Sequence, residues 1–519
     1  MKKILSILLI VFLVLTSCNS KTDFSDEKKE DSEAYLISQG GNINLPLTPF
    51  KTFNPILNDN LYYFYFKDLI YSSLLEVNDD SSINNLLASS VEKLNDKTYR
   101  IKLREGVKFH NGKVLSVDDV IFTYNYIIKN KANSFYYKLI NNEANKIFAS
   151  SANFTINRVD NSTIEVKFNS ANANNLYALT FPIISSTDDY TNYTPNGTGP
   201  FKFKAYEKNK SLVLEKNKSY FNGQSSVDTI TGIIIENPNN MEGIFETGKL
   251  DMYLALDSNY IQYMNNSKYS LIDFPSNKLY YIGFNYRKKP SLDLRKLIEL
   301  NINKEVINKE VFASNLDICQ GFYPEESIFA VHDVKEPVDT SNLSIKKNDN
   351  KEYVDEKNRR INLKILYNKN DAKKSAIANI IYSYLDNAGF KVKMLAKDAK
   401  DINFNEDYDI YVGEYLVNNS FDLNYKFSNR SNSNIFAYSD ERFEDLLNKL
   451  NASLVEYKDV NNFLIDEKII IPLGYEKNAL IFKENMIFEN KINFQNIYSK
   501  LKDLIIVSAK SWLYFNLML

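Results

Sequence analysis

Histidine and cysteine are almost missing from this chain: His110, His332, Cys18 and Cys319 are all there are in 519 residues. So few imidazoles and thiols exclude most zinc sites and leave a hydrolytic triad without support. With Cys18 at the very start, no intramolecular disulfide is expected, and Cys319 reads as a small buried residue rather than a nucleophile. A positive excess is missing too. Lysine and arginine number 63 against 65 aspartates and glutamates, and the formal net charge is -2. That balance argues against a nucleic-acid binder, which would carry a basic patch or stripe. There is no Gly-x-Ser-x-Gly elbow, no His-Glu-x-x-His, no P-loop and no Gly-rich dinucleotide turn. No enzyme, cofactor or metal centre is therefore expected.

What is present is ordinary globular material, 44% hydrophobic and 25% charged. The length exceeds what one core usually supports and predicts two or three domains. The 36 tyrosines and 33 phenylalanines could line a cleft, but core packing accounts for most of them.

The amino terminus is the sharpest local feature. Lys2 and Lys3 precede an apolar run from Ile4 to Val14, too short to span a bilayer comfortably. It ends in Leu15-Thr16-Ser17-Cys18, which resembles a bacterial lipobox. The resemblance implies a signal peptide over 1–17 and a mature chain whose first residue, Cys18, carries diacylglycerol and palmitate-type acyl chains. Residues 18–33 are mostly Ser, Asp, Lys and Glu and read as a flexible tether, with too little apolar surface to offset the entropy of ordering.

From Tyr35 the texture becomes that of a folded α/β protein. Tyr99, Ile101 and Leu103 alternate with basic residues as a half-buried strand. Asn111-Gly112 is a turn signal, and Ser116 with Asp119 opens a helix in a capping-box arrangement. Thr163 to Phe168 alternates as another strand. Leu363–Leu366, a helix over Ala376–Ala388 ending at Gly389, and a strand through Val392 and Met394 make a βαβ unit. The polar stretch from Asp333 to Glu356 predicts an exposed loop. The apolar stretch from Trp512 to Leu519 is expected to pack against the body.

The run Arg100-Ile101-Lys102-Leu103-Arg104-Glu105-Gly106-Val107-Lys108-Phe109-His110-Asn111-Gly112, followed by Leu115-Ser116-Val117-Asp118-Asp119-Val120-Ile121-Phe122-Thr123-Tyr124, closely resembles the hallmark segment of family 5 extracellular solute-binding proteins. These are the oligopeptide, dipeptide and nickel receptors of ABC importers. Phe53-Asn54-Pro55, Gly197-Thr198-Gly199-Pro200-Phe201, Tyr220-Phe221, Gly248-Lys249-Leu250-Asp251, Tyr281-Ile282-Gly283-Phe284-Asn285, Asp293-Leu294-Arg295-Lys296-Leu297 and Ile471-Pro472-Leu473 fall in that family's order. The hallmark run itself is strand, turn and capped helix, so it reads as scaffold, with His110 satisfied beside the turn.

The resemblance implies a two-lobed periplasmic-binding-protein-like α/β fold of type II, cluster C, with an extra subdomain inserted in the first lobe. Lobe I would combine 34–52, 184–278 and 488–519. The inserted subdomain would span 53–183 and lobe II 279–487. It also implies a monomeric, lipid-anchored receptor facing outward. That receptor would close a cleft around a peptide or other small ligand and deliver it to importer permease subunits. Phe50 and Thr52 stand where the family offers an extended segment to the ligand. On lobe II, Gly413 fits the family's Gly-Trp-x-x-Asp stretch, but Glu414 stands at the tryptophan and Val417 at the aspartate that pairs with a peptide's ammonium group. Glu414, Tyr415 and Asp422 are the neighbouring candidates, Glu414 and Asp422 as substitute carboxylates. Two other readings stay open: an envelope sensor or interaction lipoprotein without transport, and a nickel or metal-chelate receptor of the same family.

Overall fold

The computed structural model describes residues 37–38, 40–141, 153–191, 193–331, 343–417, 426–431, 433–488 and 490–507. Cys18, His332, Asp422 and the stretch from Trp512 to Leu519 lie outside them.

The first sheet has the strand order Asn42–Leu47, Thr229–Ile234, Ser211–Lys216, Phe201–Glu207. Its first pair is parallel, with Asn42 opposite Thr229, so residues far apart in sequence share one layer. Ile43, Leu45 and Leu47 alternate into the core, the period-2 signature of a strand with one buried face. The helix Leu61–Ile70 lies on this sheet. Gly232 makes the approach possible, since a Cβ there would sit 2.8 Å from the Phe66 ring.

A second sheet, antiparallel throughout, runs Ala88–Asn95, Thr98–Leu103, Thr163–Phe168, Phe154–Arg158. Tyr99, Ile101 and Leu103 are buried while Arg100 and Lys102 are exposed, as their alternation predicts. The helix Val117–Lys129 starts where Ser116 caps it, and Asp119 accepts the Ser116 N–H at 2.9 Å. The same fully buried carboxylate accepts the Ser186 N–H at 2.8 Å and meets Lys113 Nζ at 2.5 Å. Asp119 therefore ties the hallmark helix to the chain that leaves this sheet.

The third sheet has seven strands. Its path is Met252–Ala255, Ile470–Lys483, Tyr269–Phe284, Ile410–Leu416, Asn362–Asn368, Lys391–Lys397, with Leu316–Ile318 pairing off the path to Ile470–Lys483. Asn362–Asn368 and Lys391–Lys397 are parallel and joined by the helix Ala372–Ala388, the expected βαβ unit. That helix begins four residues before the expected start at Ala376 because Asp371 caps it, accepting the Lys374 N–H at 3.0 Å. It ends at Gly389, whose φ of +115° is left-handed and whose missing Cβ would meet Lys351 O at 2.4 Å. Apolar side chains cover both faces of the sheet. Leu279, Tyr281 and Tyr415 pack with Phe427 and Phe436, whereas Tyr280, Ile282 and Phe284 pack toward the helix. The loop expected over 333–356 is partly regular, because Lys346–Lys347 and Tyr353–Val354 pair as a short antiparallel hairpin.

Candidate functional site

Two long strands run through both halves of the molecule. Tyr269–Phe284 and Ile470–Lys483 pair antiparallel from Tyr269 opposite Lys483 to Gly283 opposite Ile470. One end, with Phe274 and Ala479–Phe482, belongs to the first sheet's core; the other end carries the two faces of the seven-stranded sheet. The ladder breaks at the crossing. Pro275 is opposite Lys477 and Leu279 opposite Tyr475, so Ser276, Asn277 and Lys278 face the single residue Glu476. A bulge of this kind kinks a ladder locally and releases backbone groups from it. It falls where a hinge between two lobes would bend.

A cavity of about 510 Å³ opens at this bulge, within the size range of ligand sites. Ser276, Asn277, Lys278 and Asn478 form its floor, and the start of the helix Leu61–Ile70 forms a wall. Asn60 sets that helix start: its Oδ1 accepts the Tyr63 N–H at 3.0 Å and its Nδ2 donates to Pro49 O at 3.0 Å. Asn58 in turn accepts the Asn60 N–H at 2.9 Å and donates to Thr52 O at 2.5 Å. The segment 52–60 is thus held by its own amides. Leu61 is 49% exposed and Phe135 44% exposed, both toward the cavity, with Phe64 between them at 5.4 Å from the Phe135 ring. An apolar surface of this kind facing a polar floor suits a ligand with both characters.

The sequence candidates fall in three places. Phe50 and Thr52 precede the cavity wall. Phe50 packs into an aromatic cluster with Phe53, Tyr63 and Tyr206, and Thr52 Oγ1 accepts the Asn54 N–H at 3.1 Å. Gly413, Glu414 and Tyr415 lie on the strand Ile410–Leu416, which ends beside the floor, where Val417 N–H donates to Asn277 O at 2.7 Å. Gly413 is required by packing: a Cβ there would lie 2.4 Å from the Tyr411 ring and 2.7 Å from the Tyr281 hydroxyl. Glu414 is half-buried and paired with Lys374 at 3.3 Å. Burial draws the Lys374 ammonium down, but Asp371 and Glu414 outweigh it and hold the group above its ordinary value. Tyr415 stacks on Tyr281 at 4.4 Å with its hydroxyl buried. Burial raises its phenol well above the usual range. Asp422 and Cys18 lie outside the described residues.

Sequence reasoning passes over Asn58, Asn60, Leu61, Phe135 and Lys278. The legible signal is Asn58-Asp59-Asn60, a cap signal before the aromatic run Leu61-Tyr62-Tyr63-Phe64. His110, by contrast, is scaffold, as its place beside the turn implies. Its Nδ1 accepts the Gly197 N–H at 3.3 Å and its Nε2 lies 3.1 Å from Gly199 O. Gly197 and Gly199 press on the end of the first helix, where added Cβ atoms would lie 1.9 Å from Ile70 O and 2.5 Å from its carbonyl carbon. Cys319 is a buried free thiol, pushed up to about 12 by burial, which leaves it inert.

Residues 82–436 match the family described as bacterial extracellular solute-binding proteins, family 5. The chain is 23% identical over 554 aligned positions to the oligopeptide-binding protein OppA of Bacillus subtilis (strain 168), covering 96% of this chain and 99% of that protein. It is 25% identical over 343 positions to the oligopeptide-binding protein AppA of the same organism, covering 62% of this chain and 60% of AppA. In fold it resembles the nickel ABC transporter structure from Bacillus halodurans, with a TM-score of 0.76 at 16% identity over 90% of this chain and all of that one.

Proposed function

Because this chain belongs to the bacterial extracellular solute-binding proteins of family 5, which are ligand receptors and not enzymes, we propose that the ligand it takes is an oligopeptide, held in the cavity at the crossing strands and handed to an ABC importer. The observation that carries the reading is the cavity itself. It lies at the bulge between the two halves of the crossing strands, and its wall combines apolar side chains with backbone and amide groups. A peptide presents that same mixture. A bare nickel ion prefers imidazole and other strong nitrogen donors, and among the residues described around this cavity there is no histidine.

Closure around the ligand would be a hinge motion at Ser276–Lys278. The lobes that close would be 34–52 with 184–278 and 488–519 on one side, and 279–487 on the other, with 53–183 as the inserted subdomain; the strand end Ala479–Phe482, which packs in the first sheet's core, would move with the first side. The parallel pairing of Asn42–Leu47 with Thr229–Ile234 supports a discontinuous first lobe. Ligand released from the purified, denatured protein should be identified by mass spectrometry as peptide. Adding such peptides should raise the thermal midpoint, with about 2.7 kcal/mol of stabilisation at a hundredfold excess over Kd. Stabilisation by a nickel chelate and by no peptide would overturn the assignment.

The anchor is part of the same reading. Cys18 follows a basic start, an apolar run and small residues in the order that lipid attachment requires. Two or more acyl chains hold a protein at a membrane far better than one. Cys18→Ala should therefore release the protein from the membrane fraction or leave the uncleaved precursor. Unchanged retention with normal signal cleavage would refute it.

A further inference from the structure

A second pocket, of about 80 Å³, lies behind the cleft wall, and Phe64 is the side chain common to both cavities. It forms where the helix Leu61–Ile70, the strand Leu75–Val77, the helix Phe135–Asn141 and the stretch 495–499 meet. Its walls carry Lys67, Asp68, Glu76, Tyr136 and Tyr220. A single water needs on the order of 10–15 Å³ of such space, so the pocket has room for an ion with some of its hydration, or for a small organic head group.

The polar groups facing it are incompletely matched. Lys67 Nζ lies 2.6 Å from Asp68 Oδ1 and 4.1 Å from the Phe64 ring centroid, so this ammonium is turned onto one carboxylate oxygen and one aromatic face. Asp68 is 24% exposed, and its contact to Lys67 uses one carboxylate oxygen. Glu76 has its ion-pair partner, Lys500, at 3.9 Å, beyond hydrogen-bonding distance. Tyr136 is 3% exposed, lines the pocket, and its hydroxyl has no hydrogen-bond partner among the described residues. Such a group left dry is costly unless something in the pocket satisfies it. The lining carries one lysine and two carboxylates, and Lys500 stands 3.9 Å from Glu76 just beyond the lining. Burial pushes both carboxyl groups above their ordinary range, with Lys67 and Lys500 pulling the other way. Two carboxylates and a phenol oxygen form a hard oxygen set, suited to a cation of low charge or to an ammonium group donating three hydrogen bonds.

We propose that this pocket is a binding site for a small monovalent cation, an alkali ion or a primary ammonium group, distinct from the ligand cavity and separated from it by Phe64. Asp68 Oδ2, Glu76 and the Tyr136 hydroxyl are the groups that hold it. Lys67 keeps Asp68 charged and in place. A bound cation would brace the junction between the helix Leu61–Ile70 and the strand Leu75–Val77, on the wall that meets the ligand.

The test is a set of thermal melts of the purified protein in sodium, potassium, ammonium, methylammonium and choline chloride at one ionic strength. Choline has no N–H to donate and its methyl groups keep the charge away from the oxygens, so it serves as the reference. The expected result is a midpoint at least about 2 °C above the choline value in one or more of the small cations, as for any ligand that binds only the folded state. A response to sodium or potassium identifies an alkali-ion site. A response confined to ammonium and methylammonium identifies an amine site. In Tyr136→Phe, which removes one oxygen and preserves the ring, the response should shrink severalfold, and in Asp68→Asn it should vanish. If Asp68→Asn does not fold, Glu76→Gln takes its place. Identical midpoints in all five salts would show a water-filled pocket and overturn the proposal. So would a full response that persists in Tyr136→Phe and in the carboxylate variant. Neither outcome touches the peptide assignment, which is read from a different cavity.

Discussion

Replacing Glu476 with glutamine is expected to destabilise the protein by about 3 kcal/mol, the low end of the range for breaking a buried ion pair. Glu476 is 1% exposed and is the residue opposite the three-residue bulge. Its carboxylate pairs with Lys373, lies 3.8 Å from Lys278 Nζ, and has the Tyr280 hydroxyl at 3.5 Å. It thus joins the bulge residue Lys278 to the start of the helix Ala372–Ala388. Glutamine keeps the shape and removes the charge, so two ammonium groups lose their shared counter-ion. The low end applies because Lys373 and Lys278 remain 27% and 30% exposed and keep part of their hydration. The thermal midpoint should fall by roughly 3–7 °C, the smaller figure if the chain unfolds as one unit and the larger if the seven-stranded half melts alone. Glu476→Leu combined with Lys373→Met should recover part of the loss, since the apolar pair then takes a carboxylate from Lys278 alone, which is 30% exposed and keeps part of its hydration. A Glu476→Gln variant within about 0.5 kcal/mol of the parent, the range of ordinary surface changes, would show that the pair is not structural.

Elements set by local chemistry are legible in the sequence itself. The alternation in Thr98–Leu103, the Ser116–Asp119 cap and the Gly389 stop are near-neighbour effects, and each stands where the pattern places it. The apolar stripe marks the helix Ala372–Ala388 four residues short because Asp371, an aspartate with no apolar neighbour on its N-terminal side, is a cap and not part of the stripe. The cavity is harder to read. Its wall at Asn58–Leu61, its flank at Phe135 and its floor at Ser276–Lys278 follow one another at about 75 and about 140 positions, and only the strand crossing brings them together. No periodicity announces a bulge, and an exposed leucine looks the same in sequence as a buried one. Glu414 is a second case. Its pairing with Lys374, forty residues earlier, at 3.3 Å is a contact that nothing in the sequence announces.

Acid is expected to weaken the protein through His110 in a window that sequence alone would place wrongly. The imidazole is clamped neutral: Nδ1 accepts from the Gly197 amide, leaving Nε2–H to donate to the Gly199 carbonyl. Protonation would set an N–H against an N–H in a site with little water. Burial is the main cause that lowers the group from its ordinary 6.5 to about 4; the Gly199 carbonyl works against this and the Lys202 charge adds to it. Because the folded value lies below the unfolded one, the native state resists protonation that the unfolded chain accepts. The contribution is therefore complete above pH 6.5, declines as pH falls, and is gone below about 4. At about 1.4 kcal/mol per pH unit, a drop from 6.5 to about 4 amounts to about 3 kcal/mol. His110→Gln supplies the comparison, because an amide can accept from Gly197 and donate to Gly199 without titrating. Carboxylates elsewhere also weaken the fold in acid, but they are common to both proteins. Denaturation midpoints measured from pH 7 to pH 4 should show the parent losing about 3 kcal/mol more than His110→Gln over that interval. Parallel curves would mean that the imidazole is not held neutral in the folded protein.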